Sequence, residues 1–127
     1  MLVSPPDFVA KAKATIKDWT VSQVKDCLDS DTILIDIREP AEYARGHIPG
    51  SIHVPRGLLE FQIMKTLEHL GITTDAADAD IVLYCGTGGR SALAAKSLDD
   101  MGFQAVRSMD GGIVAWNEAG LPVEVPA

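Results

Sequence analysis

Two short apolar runs constrain this chain most: TILIDI at 32–37 and DIVLYC at 80–85. Each is too short for a buried helix and is rich in β-branched or aromatic side chains, so each predicts a buried strand, and QAVRSM at 104–109 reads as a further strand. Between them the apolar period changes to that of a helix. Val21, Val24 and Leu28 recur at helical spacing behind Thr20 and Gln23, a capping-box pair. Leu59, Ile63, Leu67 and Leu70 form a second stripe over 57–71, closed by Gly71. Ala92, Ala95 and Leu98 form a third, closed by Gly102, and GGIVAWNEAGLP reads as a short last helix stopped by Gly120 and Pro122. SIHVP adds a brief strand ended by Pro55, and EPAEYARG a short helix with Pro40 in its first turn. Strands alternating with helices predict an α/β fold. Its sheet should be mainly parallel, with helices on both faces and right-handed crossovers.

The chain has 127 residues, enough for one domain with a real core. Residues 1–15 read as a short helix or an arm laid over the body, and residues 16–127 as the single domain. No run approaches the ~20 apolar residues of a membrane span. The opening MLVSPPDFVAKAK lacks a basic stretch followed by an apolar core, so the expected setting is the cytoplasm, without a membrane partner. The net charge of −7 argues against a general nucleic-acid binder. It also repels small anions, so an anion site must be made attractive locally by backbone N–H groups and a few cations.

Two cysteines, Cys27 and Cys85, give no disulfide framework and no C-x-x-C pair for structural zinc. Cys27 follows Val24 on a helical pattern and reads as packing. Cys85 ends a strand, and GTGGR follows it directly. Parallel sheets bind ligands beyond the carboxyl ends of their strands, where Asp36 also falls. Gly86, Gly88 and Gly89 tolerate φ > 0, and such a turn can aim successive N–H groups into one anion-binding concavity. A helix starting near Arg90 adds free amides and the positive end of its dipole. Arg90 adds a delocalised cation able to fold back over the loop. A sulfur at the mouth of such a cradle is favoured as the thiolate, a nucleophile. The bland alternative is a small buried side chain before a tight turn.

CGTGGRS resembles the active-site loop of the rhodanese (sulfurtransferase) family. DIREPAEYARGHIPGSIHVP resembles that family's upstream signature, and MDGGIVAWNEAGLPVE its downstream Gly-Gly, Trp and Gly-x-Pro segment, in the same order. The resemblance implies a five-stranded, mainly parallel sheet flanked by helices. It implies that Cys85 takes a sulfane sulfur from a small sulfur-containing anion such as thiosulfate and becomes a persulfide. A thiol, a protein thiol or cyanide then removes that sulfur, with no metal or organic cofactor. Mapped onto this sequence, Cys85 is the nucleophile, and Gly86, Thr87, Gly88, Gly89 and Arg90 form the cradle, with Asp36 and Ser91 behind it. The six residues from Cys85 to Arg90 match the sulfurtransferase loop. The related dual-specificity phosphatases have a loop one residue longer, which weighs against phosphate-ester chemistry. Some thiosulfate-using relatives carry extra basic residues in this loop. Here Arg90 stands alone, which weighs against thiosulfate as the physiological donor. A non-catalytic module that binds an anion or a protein is the rival reading.

The other polar candidates read as structural. Asp36 with Arg38 is a strand-end carboxylate satisfying backbone N–H groups. His47, His53 and His69 have no partner pattern. Arg56 is either a rim cation or a solvated arginine, the second being preferred. Ile113 and Trp116 share a packing face, and Trp19 is expected to cover a sheet edge or the N-terminal arm.

Overall fold

A computed structural model describes residues 1–127. Five strands, β1 (Lys17–Trp19), β2 (Ile33–Asp36), β3 (Ile52–His53), β4 (Ile81–Tyr84) and β5 (Val106–Met109), form one sheet in the order β1-β5-β4-β2-β3. Every pairing is parallel, with Ile33 opposite Ile81 and Asp36 opposite Tyr84. Six helices connect or flank them: α1 (Pro5–Lys13), α2 (Val21–Asp26), α3 (Pro40–Arg45), α4 (Leu59–His69), α5 (Gly89–Asp100) and α6 (Gly112–Glu118). No helix is long and apolar enough to cross a membrane.

All four residues of β2 and of β4 are buried, as central strands of a parallel sheet must be. Alternate side chains feed two separate cores. Ile33, Ile35, Ile81 and Leu83 pack against Leu59, Ile63 and Leu67 of α4 and Leu98 of α5. Leu34, Val82 and Tyr84 face the other way, onto Val24 of α2 and Ile113 and Trp116 of α6. Each such Leu or Ile contributes about 1.5–3 kcal/mol by leaving water. This two-sided burial fixes the strand register, since a one-residue slip would swap the two cores.

Helix α2 begins where its capping box predicts: the Gln23 amide donates to the Thr20 hydroxyl at 3.2 Å, and the Thr20 amide to the Gln23 side chain at 2.8 Å. The helix expected over 57–71 opens as a 3-10 turn at Arg56–Leu58 before α4. Strand β1 is the element that the apolar runs do not announce. It lies at the sheet edge, where Lys17 and Asp18 face solvent and no continuous apolar run is needed. Trp19 belongs to that edge strand, and the Arg107 guanidinium stacks 4.3 Å from its ring centre. Helix α1 packs on α5, and Lys13 at its end pairs with Asp110 at 2.9 Å and Asp18 at 3.5 Å.

Candidate active site

The carboxyl ends of β2 and β4 lie side by side, tied by the Ile37 amide donating to the Tyr84 carbonyl at 3.1 Å. Cys85 is the first residue past β4, and four residues later the chain enters α5. The turn between them bends around the sulfur. Cys85 Sγ accepts hydrogen bonds from the Gly88 amide at 3.2 Å and the Ser91 amide at 3.4 Å. The amides of Gly86, Thr87, Gly89 and Arg90 have no acceptor within the protein. Two of those, Gly89 and Arg90, are the free donors that every helix start leaves. Gly88 is the only loop glycine that uses the left-handed region, at φ +99°. Gly86 and Gly89, which tolerate the same region, do not use it here: a single inverted residue suffices to turn this chain.

The loop is held from behind by α6. The Ile113 amide donates to the Cys85 carbonyl at 2.9 Å, and the Val114 amide to the Gly86 carbonyl at 3.1 Å. A Cβ on Gly112, at φ +58°, would collide with the Gly86 carbonyl, so only glycine lets α6 approach this closely. Ser91 lies beneath the sulfur. Its hydroxyl is 3.5 Å from Cys85 Sγ and 2.7 Å from the Ser108 hydroxyl of β5. Both serines are fully buried.

Arg90 does fold back. Its Nη2 is 3.1 Å from where a Cβ on Gly86 would stand. Its guanidinium also grips Glu42 of α3 in a two-pronged pair at 2.7 and 2.9 Å. The hydrogen bonds from Arg90 hold the Glu42 carboxyl down at about 2, and that carboxylate in turn raises Arg90 further, with Cys85 adding a smaller part. Glu42 also accepts from the Glu39 amide at 3.1 Å, which anchors it at the start of α3. Sequence reasoning missed Glu42. It is 48 residues from Arg90, and its one local signal is an acidic side chain in the first turn of a Pro-started helix.

Asp36 is fully buried, and its carboxylate takes the Arg38 amide at 2.9 Å and the Arg38 Nη2 at 2.7 Å. Arg38 reaches on to the Gly46 carbonyl at 2.7 Å, while its own carbonyl meets His53 Nε2 at 2.7 Å. Tyr43 stacks on both His47 and His53, with ring centres 4.0 and 4.3 Å apart. Arg56 is held by Glu60 at 2.7 Å and lines a cleft beside Phe8, Lys11 and Leu93, between α1 and α5. Cys27 is half-buried, and its thiol donates to the Val24 carbonyl at 3.1 Å.

A groove of about 270 Å³ runs beside the loop, lined by Gly86, Glu42 and Arg45 together with Ile113, Val114 and Val123. Cys85 itself is 1% exposed. The site thus holds one sulfur under a turn of amides, with little room for a bulky reactant at the sulfur and more in the adjoining groove.

The family model described as the rhodanese-like domain matches residues 20–119. A sulfurtransferase of Allochromatium vinosum is 36% identical over 96 residues, which cover 76% of this chain and 81% of that protein. The thiosulfate sulfurtransferase GlpE of Pseudoalteromonas translucida is 35% identical over 105 residues, 81% of this chain and 90% of that one. Among solved structures, a Rhodopseudomonas palustris protein of unknown function, described as a possible tyrosine phosphatase, superposes with a TM-score of 0.82. It is 35% identical, over 98% of this chain and 96% of that chain.

Proposed function

The chain belongs to the rhodanese-like family, and on that premise we propose that it is a sulfurtransferase working through a persulfide on Cys85. In the first half-reaction the Cys85 thiolate attacks the outer sulfur of a sulfane donor. A new S–S bond forms, the donor's S–S bond breaks, and the electron pair leaves on the remnant, sulfite from thiosulfate or a thiolate from an organic persulfide. In the second half an acceptor thiolate or cyanide attacks the outer sulfur, and the Cys85 thiolate returns. The acceptor leaves as a persulfide or as thiocyanate. The setting proposed for this exchange is the cytoplasm.

The observation that carries this reading is the hydrogen bonding of the loop amides. Two already donate to the sulfur, from Gly88 and Ser91, and four more at Gly86, Thr87, Gly89 and Arg90 have no protein acceptor. Hydrogen bonds to an anion are worth roughly twice neutral ones, so the first pair supports a negatively charged sulfur. A persulfide extends the side chain by about 2 Å, and the free amides support its terminal sulfur. The Ser91 hydroxyl, 3.5 Å from Sγ, becomes a third donor to the thiolate by turning its proton away from the Gly88 carbonyl at 3.3 Å. Arg90, above Gly86, supports the anion that leaves.

Thiocyanate formation from cyanide and a sulfane donor tests the proposal. Turnover that disappears in Cys85→Ser and falls by about tenfold or more in Arg90→Ala is the expected result. The burial of Cys85 favours one second reading, a module that binds an anion or a protein without turnover. Wild-type protein that forms no thiocyanate with any donor would establish that reading in its place.

A further inference from the structure

We propose that Glu42 selects the sulfur donor, disfavouring the thiosulfate dianion and leaving organic persulfides of low charge as the preferred class; this rests on the sulfurtransferase reading of Cys85. Arg90 is the loop's lone cation, and its guanidinium is matched at 2.7 and 2.9 Å by the Glu42 carboxylate. Arg38, which lines the adjoining groove, is matched in the same way by the buried Asp36 at 2.7 Å. At the loop an incoming donor therefore meets amide hydrogens and a neutralised ion pair, in a chain whose net charge is −7, and the cation without an ion-pair partner, Arg45, lies farther along the groove. Glu42 stays ionised at any working pH, because Arg90 holds it at about 2.

Donor charge then decides the encounter. Thiosulfate brings two negative charges to the thiolate: Cys–S⁻ plus S–SO₃²⁻ gives Cys–S–S⁻ plus SO₃²⁻, so three negative charges share the site throughout. An organic persulfide reacts in its protonated form, which brings none at the reacting sulfur. Cys–S⁻ plus R–S–SH gives Cys–S–SH plus R–S⁻, with the proton kept on the transferred sulfur and the electron pair leaving on the thiolate, which water reprotonates. A carboxylate paired with the loop's Arg90 and lining the groove beside Gly86 penalises the first far more than the second. The groove beside Gly86 also has an apolar wall, at Ile113, Val114 and Val123, that suits an organic R group and does nothing for a sulfonate. Arg45, farther along α3, remains to meet a remote carboxylate of such a donor.

The test compares rates of sulfur loading on the Cys85 peptide, read by mass spectrometry, from thiosulfate and from glutathione persulfide. Glu42→Gln keeps one acceptor for Arg90 and removes the charge; Glu42→Asp keeps the charge on a shorter stem. The thiosulfate-to-persulfide rate ratio should rise on the order of tenfold in Glu42→Gln and stay near wild type in Glu42→Asp. Added salt should raise thiosulfate loading more in wild type than in Glu42→Gln, because it screens the repulsion being removed. An unchanged ratio overturns the proposal. A parallel fall of both rates does so as well, since Glu42 would then only position Arg90. If neither donor loads Cys85 in wild type, the sulfurtransferase reading itself falls, and the selection with it.

Discussion

The Gly88 amide points at the Cys85 sulfur across 3.2 Å, and it does so because Gly88 sits at φ +99°. A side chain there meets two obstacles. The left-handed backbone is strained for any L-residue, and a Cβ would stand 3.1 Å from the Gly111 amide. Gly88→Val is expected to lower stability by about 1–3 kcal/mol and sulfur loading by more than the fraction of unfolded protein explains. Urea unfolding beside a single-turnover assay checks this; full activity in the folded variant would contradict the role given to that amide.

Ser91 and Ser108 form a buried hydroxyl pair at 2.7 Å, under the reacting sulfur. Ser91→Ala leaves Ser108 without its partner and is expected to cost about 1–3 kcal/mol. The Ser91 amide still reaches the sulfur, so turnover should fall only a few-fold. In a double-mutant cycle with Ser108→Ala, the two changes together should cost less than their sum.

Asp36 is fully buried and satisfied chiefly by Arg38. Arg38→Met strands that carboxylate in the interior, an expected loss of about 3–5 kcal/mol. Denaturant midpoints measure it. The same substitution frees the Gly46 carbonyl, so the turn after α3 should lose protection from amide exchange at residues 46–48.

The Glu42 carboxyl falls from its ordinary 4.5 to about 2 on folding, chiefly through hydrogen bonds from Arg90. A carboxyl lowered by folding stabilises the protein above its unfolded value and loses that contribution as pH drops from 4.5 toward 2. Wild type should therefore exceed Glu42→Gln in stability near neutral pH, and the gap should close by about 1 kcal/mol as pH falls to about 3. The figure is small because water reaches both partners.

The central strands and the loop after β4 are legible in the sequence because burial on both faces demands unbroken apolar runs, as in Ile81–Tyr84, and because a sharp turn demands glycine at 88. β1 is not legible, since an edge strand with Lys17 and Asp18 exposed carries no such run. The Arg90–Glu42 pair is invisible for a different reason: it joins two helix starts that only the parallel sheet brings together. The support of the Cys85 and Gly86 carbonyls by the first amides of α6 leaves one trace in sequence, the Gly111–Gly112 pair, whose meaning depends on a packing distance. The burial of Cys85 is legible from its place at the end of an apolar strand, but the two amides that close over its sulfur are a property of the folded turn.

The most direct test is the intact mass of the protein after exposure to a sulfane donor and desalting, compared across wild type, Cys85→Ser and Cys27→Ser. Gain of one sulfur atom in wild type and Cys27→Ser, none in Cys85→Ser, and its loss on adding cyanide is the predicted result. Sulfur retained on Cys85→Ser, or no gain in any chain with any donor, would contradict the assignment of Cys85 as the sulfur carrier.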